Sequence, residues 1–425
     1  LMKTELKKRI KKYCSNNKII QKPYNYLLKE KRKINYRMKY LNNPIDDKLI
    51  VFEAFMGRKY VCSPKAIYEF MLKDDRFSEY TFVWAFKNPK SKKKYFNDSR
   101  TKLVTYNRAK YFEYCSKAKY WITNSRIPET LIKKDEQIYV QCWHGTPLKR
   151  LGHDIEIKKA NSTENKKIRN KRYDKDASMY NYMISPSRFC TEKFTSAFNL
   201  KELNKEDVII EKGYPRNDYL FNYKKGDVRR IKKELNIPSN KKVILYAPTF
   251  RDNQHSANIG YTYNVELDFD KLKKEISDEY IVLFRPHYFI ANKFDFKKYN
   301  GFVYNVSEYE DINELYIISD ILITDYSSVF FDFANLKRPM IFYMYDKEEY
   351  KNNLRDFYID LKELPGPIIE TQRKLISEIK NIDNYSKKYG KKYEKFNKKY
   401  NYLDDGKATE RVIEVIFGDE NKKEN

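Results

Sequence analysis

One histidine of this chain stands where open α/β proteins carry out chemistry. His144 follows residues 137–141, a short run that predicts a buried strand, and it precedes Gly145 and Lys149. Parallel α/β sheets bind their ligands at the carboxyl ends of the strands. Imidazole takes up a proton near neutral pH, glycine lets the backbone approach a ligand, and lysine can hold an anion. The stretch therefore predicts a general base beside an anion-binding site.

A pair of serines marks a second candidate site, this one for phosphate. Ser327 and Ser328 stand between a predicted strand that ends at Thr324 and a predicted helix, with Asp325 beside them. Serine is a favoured N-cap residue, and the free N–H groups of a helix N-terminus bind phosphate. An ordinary capped helix can begin with the same residues. The serine pair therefore indicates a phosphate site only together with other motifs.

Cations follow two further predicted strands. Arg285 and His287 end one of them, and they offer a fixed charge and an imidazole to a pyrophosphate. Thr249 and Arg251 end another. Arg251 either reaches donor phosphates or the acceptor, or lies in an ordinary surface loop. Placement at a strand end favours neither reading by itself.

The elements that must position these residues alternate between strand and helix patterns. This alternation predicts parallel sheets covered by helices on both faces. The predicted strands are 49–55, 81–86, 102–106, 120–123, 138–143, 182–185 and 208–212 in a first set, and 242–247, 280–284, 301–306, 320–324 and 339–344 in a second.

The two sets of strands predict two domains. Residues 45–225 form the first and residues 226–425 the second. Residues 213–218, near the boundary, contain Gly, Pro, Asn and Asp, which suit a turn or hinge. Residues 153–176 are polar and rich in Lys and Asn, and we expect a mobile loop or insertion there.

The charge of the chain is positive and unevenly distributed. It carries 86 Lys and Arg against 59 Asp and Glu, a net charge of +27. The predicted N-terminal arm, residues 1–44, is the most basic part. Met2, Leu6, Ile10 and Tyr13 recur there at helical spacing among lysines. This pattern is typical of a helix that binds a membrane surface, although a solvated arm in a Lys-rich chain has the same composition.

Cysteine spacing and hydropathy exclude several classes of protein. The five cysteines lie far apart without a CxxC pair, which argues against a zinc site or a disulfide framework. The sequence has no apolar run of roughly 18 residues and no signal-peptide core. We therefore expect a cytoplasmic protein on the inner face of the membrane. We also expect no cofactor and no metal, since no cluster of carboxylates demands Mg²⁺, although the sequence does not decide whether a metal assists. Specific nucleic-acid binding is disfavoured because no helix-turn-helix, RNP or zinc motif is present.

As a set, these motifs resemble those of the CDP-glycerol glycerophosphotransferase family, the enzymes of wall teichoic acid synthesis. They occur in the family's order across roughly residues 140–415, and the set is specific although each member is weak. The resemblance implies an α/β fold of GT-B type, in which two doubly wound Rossmann-like domains hold a cleft between them. The matching segments are 143–149, 213–218, 246–251, 285–287, 324–328, 356–367 and 404–406 with Arg411.

The resemblance also implies a reaction. An acceptor hydroxyl attacks the glycerol-bearing phosphorus of CDP-glycerol and CMP leaves; the acceptor is a lipid-linked saccharide or a growing poly(glycerol phosphate) chain. His144 matches the family's proposed general base, and His287 matches a second catalytic position. The implied donor-binding residues are Thr249, Arg251, Arg285, His287, Ser327 and Ser328, with Asp325 and Asp360 as weaker candidates, and Gly145, Thr146, Lys149 and Arg216 are expected at the acceptor or a phosphate.

Three alternatives stay open at this point. The family includes ribitol-phosphate transferases, and the sequence does not separate a CDP-ribitol donor from CDP-glycerol. The chain lacks a large extra N-terminal region, which favours a primase or a compact polymerase without deciding between them. A GT-B sugar transferase of capsule synthesis would also accommodate His144 and the serine pair.

Overall fold

The chain divides into two compact units. The computed structural model describes residues 18–156, 165–249, 255–256, 260–261, 267–286, 294–347 and 357–418. The first unit comprises Leu1–Arg58 and Asp74–Val140, and the second comprises Lys59–Lys73 and Gln141–Asn425. A domain boundary between residues 225 and 226 stays a prediction.

Strands and helices alternate along the described chain, as predicted. The strands are β1 (Asp46–Glu53), β2 (Thr81–Phe86), β3 (Thr101–Thr105), β4 (Ala118–Thr123), β5 (Ile138–Gln141), β6 (Tyr182–Ser185), β7 (Ile209–Glu211), β8 (Lys242–Ala247), β9 (His255–Ser256), β10 (Gly260–Tyr261), β11 (Tyr280–Phe284), β12 (Val303–Asn305), β13 (Ile321–Thr324), β14 (Met340–Tyr343) and β15 (Ile368–Ile369). The helices are α1 (Lys18–Tyr40), α2 (Cys62–Met71), α3 (Ala109–Lys117), α4 (Lys166–Ala177), α5 (Arg188–Ala197), α6 (Tyr219–Asn222), α7 (Lys225–Glu234), α8 (Phe269–Ile276), α9 (Ile312–Ile318), α10 (Val329–Phe333), α11 (Gln372–Lys380), α12 (Tyr385–Tyr400) and α13 (Ala408–Phe417).

The first unit is built on parallel strands in the order β3-β2-β1-β4. The central strands are buried on both faces: β2 is buried from Phe82 to Phe86, and the last five residues of β1 are buried as well. Continuous burial of this kind is the signature of a parallel strand covered on both sides. The sequence predicted these strands from the same runs.

Helix α1 is anchored in the first unit by its later turns. The Tyr36 side chain is 2% exposed, and its ring lies edge-on against Phe112 of α3 with the centroids 5.9 Å apart. Lys29 also forms an ion pair with Glu129. The predicted arm thus contains a helix packed on the first unit, whereas the helix predicted around Met2 lies outside the described residues.

The second unit contains a six-stranded parallel sheet in the order β12-β11-β8-β13-β14-β15. The chain starts this sheet at β8, adds β11 and β12 on one side, and then returns to add β13, β14 and β15 on the other. The order therefore reverses between β8 and β13. In doubly wound sheets this reversal opens a crevice at the carboxyl ends of the two strands.

A hydrophobic core fixes this sheet against its helices. Buried residues of the strands pack against the apolar faces of α8 and α11. Residues of β15 and of the segment around Tyr299 complete the cluster. Burial of this much apolar surface is the main favourable term in folding. The cluster includes Ile244, Tyr246, Leu272, Ile276, Val282, Phe284, Tyr299, Ile323, Ile341, Leu375 and Ile379.

The prediction of a mobile loop over residues 153–176 was wrong for its later half, where the chain forms α4. This helix is polar almost all round, so it has no apolar stripe for sequence analysis to detect. Polar contacts hold it instead: buried Arg169 donates to the Gly152 carbonyl oxygen at 3.0 Å, and the His153 ring lies 2.7 Å from an Asp174 carboxylate oxygen. His153 therefore helps to hold α4.

Within the described residues, no helix is both long enough and apolar enough to cross a membrane.

Candidate active site

A cavity of about 540 Å³ opens at the carboxyl ends of β8 and β13, where the strand order reverses. Its size is in the range of small-molecule sites. All residues that line it belong to the second unit. The polar lining residues are His144, Gly145, Thr146, Lys149, Thr249, Arg285, Ser307, Tyr326, Ser327 and Ser328, and the apolar ones include Trp143, Pro147, Leu148, Pro248, Pro286, Ile312 and Val329.

The loop after β5 carries His144 into the cavity. Trp143 adopts a left-handed conformation (φ 49°), which is unusual for a bulky residue, and its ring lies 4.2 Å from the His144 ring. The Trp143 N–H donates to the Gln141 side-chain oxygen at 3.0 Å, and its ring packs edge-on against Phe198. Strained backbone persists where surrounding structure over-determines it. The position of His144 is thus fixed by a packed, hydrogen-bonded neighbour.

The serine pair faces the same cavity from β13. Ser328 is the N-cap residue of α10, as expected, but its hydroxyl makes no capping hydrogen bond. A Cβ atom placed on Gly145 would lie 3.6 Å from the Ser328 hydroxyl oxygen. A side chain at position 145 would therefore be in van der Waals contact with the serine at the start of α10.

Arg285 supplies a buried positive charge to the cavity. Its two terminal nitrogens donate to the carbonyl oxygens of Val306 and Tyr309 at 2.8 and 3.1 Å. Among the described residues no carboxylate forms an ion pair with it, and burial lowers the pKa of its guanidinium. A desolvated cation held by carbonyls gains most from an anionic ligand. This is the electrostatic feature expected of a pyrophosphate site.

Asp325 joins the ends of the two central strands rather than lining the cavity. Its side chain is 2% exposed, and one carboxylate oxygen accepts the N–H groups of Thr249 and Tyr326 at 2.8 and 2.6 Å. These bonds set the backbone on both sides of the crevice. Asp325 thus contacts the predicted donor residue Thr249 directly.

A strap formed by Phe357 and Tyr358 holds the loop that follows His144. Phe357 forms an isolated bridge with Lys149, and the Tyr358 N–H donates to the Leu148 carbonyl oxygen at 2.9 Å. The Tyr358 hydroxyl also accepts the Leu151 N–H at 3.1 Å. This arrangement gives a physical reason for the motif at 356–358 to accompany the histidine motif in the sequence.

The remaining predicted residues lie elsewhere. Asp360 is exposed and caps a short turn by accepting the Lys362 N–H at 2.8 Å. Arg216 does not line the cavity; its guanidinium contacts the carbonyl oxygen of His144. Arg251 and His287 lie outside the described residues, so their roles stay predictions.

Sequence reasoning missed Ser307 and Tyr326 as cavity residues. Ser307 comes two residues after β12, and in the described part of the chain its buried hydroxyl has no hydrogen-bond partner. Tyr326 lies between the predicted Asp325 and Ser327, and its hydroxyl bonds Asp346 at 3.2 Å. The signal that would have found Ser307 is the one used for the other motifs, a polar residue just past a strand.

Comparison with known proteins identifies the family of this chain. Residues 34–418 match the family model described as CDP-Glycerol:Poly(glycerophosphate) glycerophosphotransferase. The chain is 42% identical over 418 residues to a teichoic acid poly(glycerol phosphate) polymerase of Bacillus subtilis (strain 168), covering 98% of this chain but 55% of that protein. It is 41% identical to a teichoic acid glycerol-phosphate transferase of Staphylococcus aureus (strain NCTC 8325 / PS 47), covering 87% of this chain and 92% of that one.

A solved structure agrees with these relatives. The wall teichoic acid polymerase TagF, soaked with CDPG, superposes with a TM-score of 0.85 at 38% identity, covering 96% of this chain and 98% of the solved chain. The expected α/β fold of GT-B type is thereby confirmed. The chain spans about half the length of two of its polymerase relatives. It belongs to the CDP-glycerol:poly(glycerophosphate) glycerophosphotransferase family.

Proposed function

We propose that the chain transfers glycerol phosphate from CDP-glycerol to a hydroxyl of a lipid-linked acceptor in wall teichoic acid synthesis, with release of CMP. Family membership supports the reaction class. The observation that carries the proposal is the cavity itself, which holds His144, the Arg285 cation and the Ser327–Ser328 pair at one strand-order reversal.

The chemistry follows from these groups. The acceptor oxygen forms a bond to the glycerol-bearing phosphorus, the bond from that phosphorus to the bridging oxygen breaks, and its electron pair leaves with CMP. His144 takes the proton of the attacking hydroxyl. Arg285 and the serine hydroxyls offset the negative charge that builds on the leaving phosphate. Phosphoryl transfer depends mainly on such positioning and charge stabilisation.

The test is CMP release by the purified protein. CDP-glycerol and CDP-ribitol are supplied separately, each with a lipid-linked disaccharide and with the same acceptor already carrying one glycerol phosphate. Release with CDP-glycerol supports the proposal, and the preferred acceptor separates a primase from a polymerase. Release only with CDP-ribitol would mean that CDP-ribitol, and not CDP-glycerol, is the donor. Release with neither, and turnover of a UDP- or GDP-sugar instead, overturns the proposal.

Two histidine variants test the assigned base. His144→Ala removes the proton acceptor, and general-base loss costs about 10²–10⁴-fold in turnover. Donor affinity should stay near that of the wild type, because the base acts on the acceptor. His153→Asn is the matched control, since His153 does not line the cavity and bonds Asp174 and Asn170 instead. Loss of CDP-glycerol binding in the His144 variant would contradict the assignment.

We further propose that the protein acts at the cytoplasmic face of the membrane and binds it through α1. Four exposed apolar side chains, Ile20, Leu27, Ile34 and Met38, fall within about 40° of one another on this helix at 3.6 residues per turn. The anchoring Tyr36 lies on the opposite side. Leu27 and Met38 are 66% and 80% exposed. A solvent-facing apolar stripe on a Lys-rich helix favours an anionic bilayer surface.

Vesicle sedimentation tests this placement. The double variant Leu27→Gln/Ile34→Gln should bind vesicles of anionic phosphatidylglycerol more weakly than the wild type. Ile168→Gln is the control, because Ile168 is 62% exposed but lies on α4. Equal sedimentation of all three proteins would refute the role of α1. Equal binding to neutral vesicles would refute the electrostatic part.

A further inference from the structure

Arg216 forms hydrogen bonds to two parts of the candidate active site, the histidine loop and the helix that follows the serine pair. One terminal nitrogen of its guanidinium donates to the carbonyl oxygen of His144 at 2.7 Å. The other donates to the carboxylate of Asp332, which lies on α10, one turn after Ser328. The side chains of Arg216 and Asp332 are only 10% and 5% exposed. A single buried guanidinium therefore links the backbone of the histidine to the helix that follows the serine pair.

The surroundings of Arg216 argue against direct contact with substrate. Both of its terminal nitrogens already have protein partners, and its guanidinium lies 5.2 Å from the centre of the Tyr214 ring. The residue is not among those that line the cavity. A planar guanidinium can bond two acceptors at fixed angles, which a lysine ammonium cannot reproduce.

Arg216 is itself held in place from two sides. Its own carbonyl oxygen accepts the Asn313 side-chain N–H at 2.5 Å. The buried Asp404 carboxylate accepts the Tyr214 N–H at 3.0 Å and the Asn217 side chain at 2.6 Å, one on each side of Arg216. Buried hydrogen bonds of this kind restrict the movement of the segment, although the Nε of Arg216 has no hydrogen-bond partner among the described residues.

Gly145 shows how close the joined parts are. A Cβ atom on Gly145 would lie 3.4 Å from a terminal nitrogen of Arg216 and 3.6 Å from the Ser328 hydroxyl oxygen. The guanidinium, the loop after His144 and the start of α10 thus converge on one glycine. Arg216 thus contacts the backbone of His144 and the helix that follows the serine pair at the same time.

We infer that Arg216 is a positioning residue that, through Asp332, sets His144 relative to the serine pair and so aligns acceptor and donor for in-line transfer. The kinetic part of this inference rests on the function proposed above; the structural part does not. Since a misplacement of about 1 Å can cost about 100-fold in rate, Arg216→Ala should lower kcat by that order. The KM for CDP-glycerol should change by only about 3-fold, because no donor contact is lost.

The experiment combines kinetics with a probe that needs no substrate. Arg216→Ala, Arg216→Lys and Asp332→Asn are assayed for CMP release, and Arg216→Ala again with added guanidinium, which should restore part of the lost kcat. The NMR signal of the Trp143 indole N–H, next to His144, should shift in all three variants, while those of Trp84 and Trp121 in the first unit stay unchanged.

Each outcome decides the inference. A shifted Trp143 signal with low kcat, little change in KM and guanidinium rescue supports it. An unchanged Trp143 signal in the folded Arg216→Lys variant overturns it, as does a raised KM with normal kcat, which would make Arg216 a substrate contact. If the wild type releases no CMP from CDP-glycerol, the proposed function fails, and the Trp143 signals still test whether Arg216 positions the histidine loop.

Discussion

The buried carboxylate of Asp404 should make the stability of the second unit fall as pH rises through about 6. Asp404 is 8% exposed and accepts hydrogen bonds from the Tyr214 N–H and from the side chains of Asn217 and Asn335. Burial raises the pKa of Asp404 from 3.8 to about 6, although these three donors oppose the rise. The substitution Asp404→Asn removes the titrating group at nearly constant volume.

The magnitude follows from the two pKa values of Asp404. A shift from 3.8 in the unfolded chain to about 6 in the folded protein means that ionised Asp404 opposes folding by about 3 kcal/mol above pH 6. Between about pH 4 and pH 6 the folded state binds more protons than the unfolded state, so stability rises as pH falls. From pH 7 to pH 5 this one group should add about 1 kcal/mol to the free energy of unfolding.

Urea unfolding followed by loss of the native NMR signal of the Trp143 indole N–H measures this effect, because Trp143 is the one tryptophan in the sequence of the second unit. The unfolding free energy of the wild type, relative to that of Asp404→Asn, should rise by about 1 kcal/mol from pH 7 to pH 5. Asp405→Asn is the matched control: its hydrogen bond to Arg411 lowers the pKa of Asp405, so its contribution is lost as pH falls below about 4. A pH-independent difference for Asp404→Asn would refute the assignment of a buried, titrating carboxylate.

Two further pairs of substitutions test packing. Gly366→Ala should destabilise the second unit by about 3 kcal/mol in urea unfolding, because its Cβ would lie 2.1 Å from the Met340 carbonyl oxygen. Gly390→Ala should instead stabilise by about 0.5–1 kcal/mol, since this helical glycine has no atom within 4 Å of the new methyl group; equal effects would contradict the packing. In the first unit, Tyr36→Ala should lower the free energy of unfolding by about 3 kcal/mol, because Tyr36 is only 2% exposed. Met38→Ala should leave it almost unchanged, because Met38 is 80% exposed. Similar hydrogen exchange of α1 in both variants would refute the packing of α1 on the first unit.

The strands were predictable because their burial leaves a local trace. A parallel strand covered on both faces is a short continuous apolar run, and the runs at 81–86, 182–185, 242–247 and 280–284 have the same bounds in sequence and structure. Polar residues just past such runs located most of the cavity. The order of the strands, however, depends on pairings distant in sequence, which no local pattern encodes.

The helix α4 and the pairing of Arg216 with Asp332 escaped prediction for a related reason. α4 is held by polar contacts such as that of Arg169 with the Gly152 carbonyl, so it lacks the apolar periodicity that marks a helix. Arg216 lies in a segment of turn-forming residues and looked like a free cation for phosphate. Its carboxylate partner Asp332 is 116 residues away along the chain, and sequence alone cannot distinguish a paired from an unpaired arginine.

The position of β8 explains why residues so far apart in the sequence form one site. β8 is the first strand of the six-stranded sheet, and the later strands of that sheet add to one of its two sides. The neighbours of β8 are β11 on one side and β13 on the other. Arg285 follows β11 and the serine pair follows β13, so both lie near the carboxyl end of β8. The histidine loop comes from an earlier part of the chain, and it is held by the buried contacts of Arg216 and by the strap of Phe357 and Tyr358. Strand order alone thus places Arg285 and the serine pair, whereas the position of His144 also depends on polar contacts from residues distant in sequence.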